Sequence, residues 1–168
     1  MIIAETDRLQ IKPLTITDAP FILVLTNSPG WLEFIGDRGI RNSTDAENYI
    51  TKGPAASYVK YGHGLYMVVL KETGSSIGIC GLLQRDTLAD KDIGFSFLPE
   101  YTGKGYALEA AAAIVQDARE RLGIQRIAAI TLPANTRSIQ LLTKLGLAFE
   151  KMVQFPGDKE ELMLFGMG

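Results

Sequence analysis

The turn Gly103-Lys104-Gly105 joins a predicted strand to the longest predicted helix of the chain, residues 103–122. The first turn of a helix has main-chain N–H groups without intrahelical partners, and the helix dipole adds partial positive charge there. Glycines remove the Cβ atoms that would keep an anion away from those groups, and Lys104 adds one full positive charge. Together these features predict a phosphate site at the turn.

Two other phosphate motifs fit this turn poorly. The dinucleotide fingerprint requires a third Gly or Ala where Leu108 stands. The nucleotide-triphosphate loop requires a Gly, four residues and then Gly-Lys-Ser/Thr, which the chain lacks. Many strand-to-helix turns also contain glycines for steric reasons alone, so the turn by itself leaves a phosphate site and a purely structural turn both open.

The segment TGKGYA, residues 102–107, resembles the pyrophosphate-binding motif of the GNAT superfamily of acyl-CoA-dependent N-acetyltransferases. That motif has Arg or Gln, two residues, Gly, one residue, and then Gly or Ala. Gly105 and Ala107 match it, whereas Thr102 replaces the Arg or Gln. Three segments, ETDRLQIKPL, GFSFLPEYTGKGYALEA and PANTRSIQLLTKLGLAFE, are also similar, in the same order, to the ribosomal-protein N-terminal (Rim-type) acetyltransferases within GNAT.

This resemblance implies a fold, a co-substrate and a set of contacts. The fold is a single α/β domain over residues 1–168, with a mixed, splayed, mainly antiparallel sheet flanked by helices. The co-substrate is acetyl-CoA, with no metal, and the acceptor is an amine. The preferred acceptor is a protein or peptide N-terminal amine; a small-molecule amine such as an amino acid, polyamine or antibiotic, or a non-catalytic CoA-binding module, are the alternatives. The implied cofactor-contacting residues are Phe97, Leu98, Thr102, Gly103, Lys104, Gly105, Tyr106, Ala107 and Asn135.

Acetyl transfer needs a neutral amine, donors for developing negative charge and a proton for the leaving thiolate. Ser138, one turn into the helix after Asn135, is the predicted proton donor, although a first-turn serine often bonds the backbone instead. Asp92 is a candidate base acting through a water, or else a solvated strand end. Glu109 faces either the acceptor site or solvent.

Three further groups are candidates. His63, the only histidine, is expected to have an ordinary loop role rather than act as a base, and Cys80 to be a small buried residue. The predicted loop at residues 28–43, before the second predicted helix, either walls the acceptor site or supplies core aromatics and solvated charges through Trp31, Phe34, Arg38 and Arg41.

The elements that position these residues follow from hydrophobic periodicity. Helices are predicted at 17–27 with Thr17 as N-cap, from the Thr44/Glu47 capping box to a break or kink at Gly53-Pro54, from there to about 61, and at 103–122 and 136–145. Strands are predicted at 8–14, 65–71, 75–84, 91–98, 125–132, 147–154 and 161–166. Their order predicts an antiparallel meander, a strand–helix–strand crossover and a terminal hairpin.

The composition is that of an ordinary soluble protein: 168 residues, 46% hydrophobic and 21% charged, with a net charge of −2. This charge balance predicts no nucleic-acid or membrane partner. A single cysteine, the absence of a signal-peptide pattern and the absence of a long apolar run predict a cytoplasmic location. The chain is expected to be a monomer or a homodimer.

Overall fold

Eight strands form one sheet in the order β1-β2-β3-β4-β5-β6-β8-β7 in the computed structural model, which describes residues 1–168. Every neighbouring pair is antiparallel except β5 with β6, which is parallel. The strands are β1 Ala4–Glu5, β2 Leu9–Pro13, β3 Leu65–Leu70, β4 Ser75–Leu83, β5 Lys91–Phe97, β6 Ile127–Thr131, β7 Ala148–Val153 and β8 Leu162–Met167. The predicted fold class is therefore confirmed.

Six α-helices flank this sheet, none of them both long and apolar enough to cross a bilayer. They are α1 Ala19–Thr26, α2 Pro29–Phe34, α3 Ser43–Ile50, α4 Ala56–Tyr61, α5 Tyr106–Glu120 and α6 Thr136–Leu145. The sequence analysis missed α2, which lies in the segment predicted to be a loop.

The starts of two helices differ from their predictions. Asn42, not Thr44, caps α3, because its Oδ1 accepts the Asp45 N–H at 2.8 Å. A 3-10 turn, Ile16–Asp18, precedes α1, so Thr17 lies inside that turn rather than at a cap.

Gly53-Pro54, where a break or kink was predicted, lies in a π-helical turn, Thr51–Ala55, through which the chain continues from α3 into α4, so the helical path is irregular but not broken. A π turn offers proline a place within a continuous helical path, since the regular hydrogen-bond ladder is already interrupted there.

The antiparallel meander of β3, β4 and β5 has an irregularity in β4. Val68 pairs with Gly78 whereas Val69 pairs with Ser76, so Ile77 is an extra residue on β4. A Cβ at Gly81 would lie 1.9 Å from the carbonyl oxygen of Gly64, so only glycine permits the two strands to approach this closely.

The parallel edge between β5 and β6 is paired only where the two strands begin. Lys91 pairs with Ile127 and Asp92 with Ala128, and no pair follows. The remaining residues of both strands diverge, which leaves a gap in the sheet. The gap has a closed end, where the two strands pair, and an open end at the carboxyl ends of β5 and β6. The helices α5 and α6 follow those carboxyl ends.

Two hydrophobic cores cover the two faces of the sheet. One lies beneath α5 and α6 and includes the predicted alanine face, with Ala110, Ala111 and Ala118 almost fully buried. The other packs α1, α2 and α3 against the opposite face, with Ile22 and Ile50 at its centre. Small alanine side chains let α5 lie close to the sheet, which fixes its amino-terminal end beside the gap.

Candidate functional site

The turn before α5 has the backbone shape that its glycines predict. Gly103 and Gly105 both adopt left-handed conformations, with φ of 76° and 83°. The helix begins at Tyr106 rather than at Gly103, because Gly105 is its N-cap and its carbonyl accepts the first helical N–H, that of Glu109, at 3.0 Å. A left-handed N-cap is accessible to glycine without a Cβ penalty.

Every main-chain N–H from Gly103 through Leu108 lacks an acceptor within the protein. Gly103, Lys104 and Gly105 are also exposed, and a Cβ at Gly103 would meet nothing within 4 Å. A run of unbonded donors at a helix N-terminus, with open space above it, suits an anion with several oxygens. Lys104 forms no ion pair, so its ammonium is available to the same anion.

We call the free amides of residues 103–108 the cradle. Thr102 contributes no donor to the cradle, although it was among the predicted contacts. Its N–H and its hydroxyl both bond the Pro99 carbonyl, at 3.2 and 2.7 Å. Thr102 therefore closes the 3-10 turn Pro99–Tyr101, and the run of free amides begins one residue later.

The gap beside the cradle exposes main-chain groups of β5, but not those of Leu98. The Leu98 N–H donates to Ile77 at 3.0 Å and its carbonyl accepts from Tyr101 at 3.0 Å, so the structure disagrees with the contact predicted there. Because main-chain groups alternate between the two edges of a strand, those of Phe95 and Phe97 face the gap. The Phe97 contact remains a prediction, and Phe95, which the same alternation indicates, was not among the predicted contacts.

Asn135 and Ser138 lie across the gap, in the first turn of α6. Asn135 is the predicted N-cap, since its Oδ1 accepts the Ser138 N–H at 3.2 Å. The Ser138 side chain is buried, yet its hydroxyl bonds no protein group, which argues against the structural alternative of a backbone bond. The Asn135 amide nitrogen likewise has no acceptor. Both groups are thus free donors at the open end.

Asp92 lies at the closed end of the gap, in the last paired position of β5, and is only 1% exposed. Burial raises the pKa of its carboxyl group, and the Arg85 guanidinium, which donates from Nε to both oxygens at 3.0 and 3.1 Å, opposes that shift. About 10 Å of strand separates Asp92 from Phe95. Its enclosure and its pairing with Arg85 argue against the base role predicted for Asp92.

Glu109 faces neither the acceptor site nor open solvent. Its carboxylate accepts from the Thr6 hydroxyl and from the Arg8 main chain and guanidinium, the last at 2.8 Å. Burial raises the pKa of Glu109, but these hydrogen bonds outweigh it and hold the pKa below its ordinary value. Glu109 therefore stays ionised and ties the first strand region to the start of α5.

His63 and Cys80 have the structural roles expected of them. His63 is buried, with Nδ1 3.2 Å from the Leu82 carbonyl, and burial lowers its pKa. It lies near Lys91 and Arg121, at the closed end of the gap. Cys80 is fully buried within the core beneath α5.

Four residues of the predicted loop lie partly in the core and partly at the surface. They were predicted either to wall the acceptor site or to have ordinary packing and surface roles. Trp31 is in the second core, edge-on to Tyr49 at 6.3 Å, and Phe34 is half-buried. Arg41 pairs with Asp37, and Arg38 is exposed.

A groove of about 690 Å³ lies away from the cradle. It runs between residues 87–90 and 153–156, over the paired start of β6 at Ala128. Arg126 bridges Asp90 and Glu150 along its wall, at 2.9 and 2.5 Å. These ion pairs satisfy Asp90, Arg126 and Glu150, and the candidate site remains the cradle with its gap.

Coenzyme A fits the residues at the open end of the gap. Its diphosphate matches the free amides of residues 103–108, and its pantetheine arm carries amides that can pair with the Phe95 and Phe97 main chain. The carboxyl ends of neighbouring parallel strands are also where open α/β sheets bind ligands.

Comparison with known proteins agrees with this geometry. A family model described as an acetyltransferase (GNAT) domain matches residues 8–148. The uncharacterized N-acetyltransferase YoaA of Bacillus subtilis is 29% identical over 154 residues, which are 90% of this chain and 86% of that protein. An acetyltransferase from Agrobacterium tumefaciens has a TM-score of 0.81 at 26% identity, covering 98% of this chain and 92% of its own.

A more distant structure shares the fold. RimL, a ribosomal L7/L12 alpha-N-protein acetyltransferase in complex with coenzyme A, has a TM-score of 0.83 at 14% identity, covering 99% of this chain and 97% of its own.

Proposed function

This chain belongs to the GNAT acetyltransferase family and is an acetyl-CoA-dependent acetyltransferase, and from that premise we propose that its acceptor is the N-terminal α-amine of a protein or peptide. The observation that carries the site assignment is the run of unbonded amides from Gly103 through Leu108 at the open end of the gap. Those amides, with Lys104, hold the diphosphate, and the Phe95 and Phe97 main chain holds the arm.

The acetyl donor supplies a thioester. The acceptor amine bonds to the acetyl carbon, the carbon–sulfur bond breaks, and the amine loses one proton while the thiolate gains one. Ser138 Oγ–H is the donor at the thiolate, because it is unbonded and lies at the open end. The Asn135 amide nitrogen, fixed by its capping bond, is a second donor available to the co-substrate.

The choice of acceptor follows from the positions of the candidate bases. Asp92 is paired with Arg85, Glu109 is bonded by Thr6 and Arg8, and His63 lies at the closed end. Each is therefore committed elsewhere. An α-amine with a pKa near 8 is roughly one-tenth neutral at pH 7, whereas a lysine amine near 10.4 is neutral in well under about one-thousandth of molecules. An enzyme without a strong base at the transfer site is suited to the α-amine.

The shared fold of RimL, an alpha-N-protein acetyltransferase, is consistent with the same class of acceptor, and the Rim-type resemblance of three segments supports it. Because a shared fold does not determine a substrate, the main support for the α-amine is that the candidate bases are engaged away from the transfer site.

Thiol release from acetyl-CoA with matched peptides tests the acceptor. One peptide of each pair has a free α-amine and an acetylated lysine, and the other has an acetylated α-amine and a free lysine. The proposal expects release with the first only, varying with the identity of the first residue. Release only with the lysine peptide, or only with polyamines or aminoglycosides, would contradict it. CoA binding without release from any amine would indicate a binding module.

A further inference from the structure

Arg8 makes three contacts at the start of α5, although it lies nearly a hundred residues away in sequence. Its Nε donates to Glu109 Oε1 at 2.8 Å, and its Cζ lies 4.4 Å above the centre of the Tyr106 ring. Its Nη1 donates to the main-chain carbonyl of Lys104 at 3.1 Å. These contacts hold a guanidinium against the cradle from the side of the β1–β2 region.

The contact with the Lys104 carbonyl determines the direction of a neighbouring donor. In a trans peptide the C=O and the following N–H point in opposite directions. A guanidinium on the Lys104 oxygen therefore turns the Gly105 N–H away from Arg8, on the side where that amide has no protein acceptor. A charged donor on the carbonyl also polarises the peptide and makes the N–H a stronger donor.

Glycine at position 105 leaves this peptide with little steric restraint of its own. Gly105 has φ of 83°, and Arg8 Nη2 lies only 3.3 Å from the place where a Cβ would be. The Arg8 side chain thus fills the space beside Gly105 and bonds the preceding carbonyl. The Arg8 main chain is held on both sides, because its carbonyl accepts the Lys71 N–H at 2.9 Å and its N–H donates to Glu109 Oε2 at 3.1 Å.

The geometry points to Arg8 as a positioning residue for coenzyme A: held by Glu109, it fixes the Lys104–Gly105 peptide so that the Gly105 N–H faces the diphosphate. This inference rests on the proposed co-substrate site. It also accounts for Thr102, which replaces the Arg or Gln of the usual motif and contributes no donor. In this chain Arg8, from near the amino-terminal end of the sequence, brings a guanidinium to the turn, and it acts through the main chain of the turn.

Binding of CoA to Arg8→Met, measured by calorimetry, tests the inference. Loss of one charged hydrogen bond that orients a binding group is expected to raise the CoA Kd about tenfold to a hundredfold. Arg119→Met removes an exposed arginine from the last turn of the same helix and is expected to leave the Kd within about twofold. Glu109→Gln, which weakens the hold on Arg8, is expected to give an intermediate Kd.

The ligand-free protein gives a second readout. In ¹H–¹⁵N spectra the Gly105 amide resonance is expected to shift in Arg8→Met, and the Gly123 amide, beyond the far end of α5, to stay in place. Arg8→Lys keeps the charge and one donor; it is expected to recover part of the affinity and serves if Arg8→Met fails to fold.

Three results separate the possibilities. Wild-type affinity in a folded Arg8→Met or Arg8→Lys protein, with the Gly105 resonance unmoved, overturns the inference while leaving the proposed function intact. A lower melting temperature with unchanged Kd also overturns it, since Arg8 is then structural only. No CoA binding by the wild-type protein overturns the proposed function and the inference together.

Discussion

Asn135 Oδ1 accepts the Ser138 N–H at 3.2 Å, and this one bond caps α6 while leaving the Ser138 hydroxyl without a protein partner. The bond places two free side-chain donors, one from each residue, in the same helical turn. That turn begins where β6 ends, across the gap from Phe97. The cap is therefore structural and at the same time presents the donors that the transfer step needs.

Ser138→Ala is expected to lower kcat roughly a hundredfold, in the range found for loss of a proton donor. The KM for acetyl-CoA is expected to change less than about twofold, and the melting temperature to stay nearly constant because the hydroxyl bonds nothing in the protein. Steady-state kinetics and thermal unfolding measure both. Thr143→Ala on the same helix, whose hydroxyl only bonds the Ile139 carbonyl, is the control. Equal kcat values in the two variants would contradict the role of Ser138.

Gly105→Glu is expected to raise the KM for acetyl-CoA by about two orders of magnitude, since it places a carboxylate beside the free amides and against Arg8. A left-handed backbone strains any such replacement by roughly 1–2 kcal/mol. Gly123→Glu controls for that strain, because Gly123 has φ of 67° and open space at the far end of α5. If both variants raise KM equally, the effect is one of stability and the cradle assignment is wrong.

Asp92→Asn is expected to change kcat less than about threefold between pH 7 and 9, because the Asp92 carboxylate is enclosed and bonded by Arg85 at the closed end. Asp90→Asn, two residues earlier and paired with Arg126, is the control. The pH profile of kcat checks this. A hundredfold loss in Asp92→Asn alone, with loss of the acidic limb of the profile, would restore Asp92 as the base.

His63 makes the stability of the protein depend on pH. Burial lowers its pKa, so the unfolded chain binds a proton near pH 6.5 that the folded protein does not. The free energy of unfolding is therefore expected to fall as the pH drops from 6.5 toward the lowered pKa, by about 1.4 kcal/mol for each unit of depression.

His63→Asn keeps a donor for the Leu82 carbonyl and removes the titration. Chemical denaturation at pH 7.5 and 5.5 is expected to show a smaller loss in this variant than in the wild-type protein. Equal losses would mean that His63 is freely protonated in the folded state.

Local patterns predicted the parts of the site that depend on neighbours in sequence. The glycine turn at 103 and 105 and the cap at Asn135 each follow from backbone rules that act over a few residues. The short helix α2 was missed because Gly30 and the charged residues after it are typical of a loop. Burial of Trp31 in the second core stabilises this helix, and that burial depends on the whole fold.

The contacts across the fold had no such signal. The Arg8–Glu109 pair joins residues 101 positions apart, and its type is common on any protein surface. The engagement of Leu98 by Ile77 and of Asp92 by Arg85 likewise depends on strand register and burial. Register is set by the whole sheet, so the sequence alone could not show that Leu98 and Asp92 are engaged by other groups of the protein.

A ¹H–¹⁵N titration of the wild-type protein with coenzyme A measures whether the free amides before α5 hold the diphosphate. The largest changes are expected on the amides of residues 103–108 and of Phe95 and Phe97, while the Gly123 amide, beyond the far end of α5, is expected to stay unaffected. Saturable binding that leaves residues 103–108 unchanged, or the absence of any binding, would contradict it.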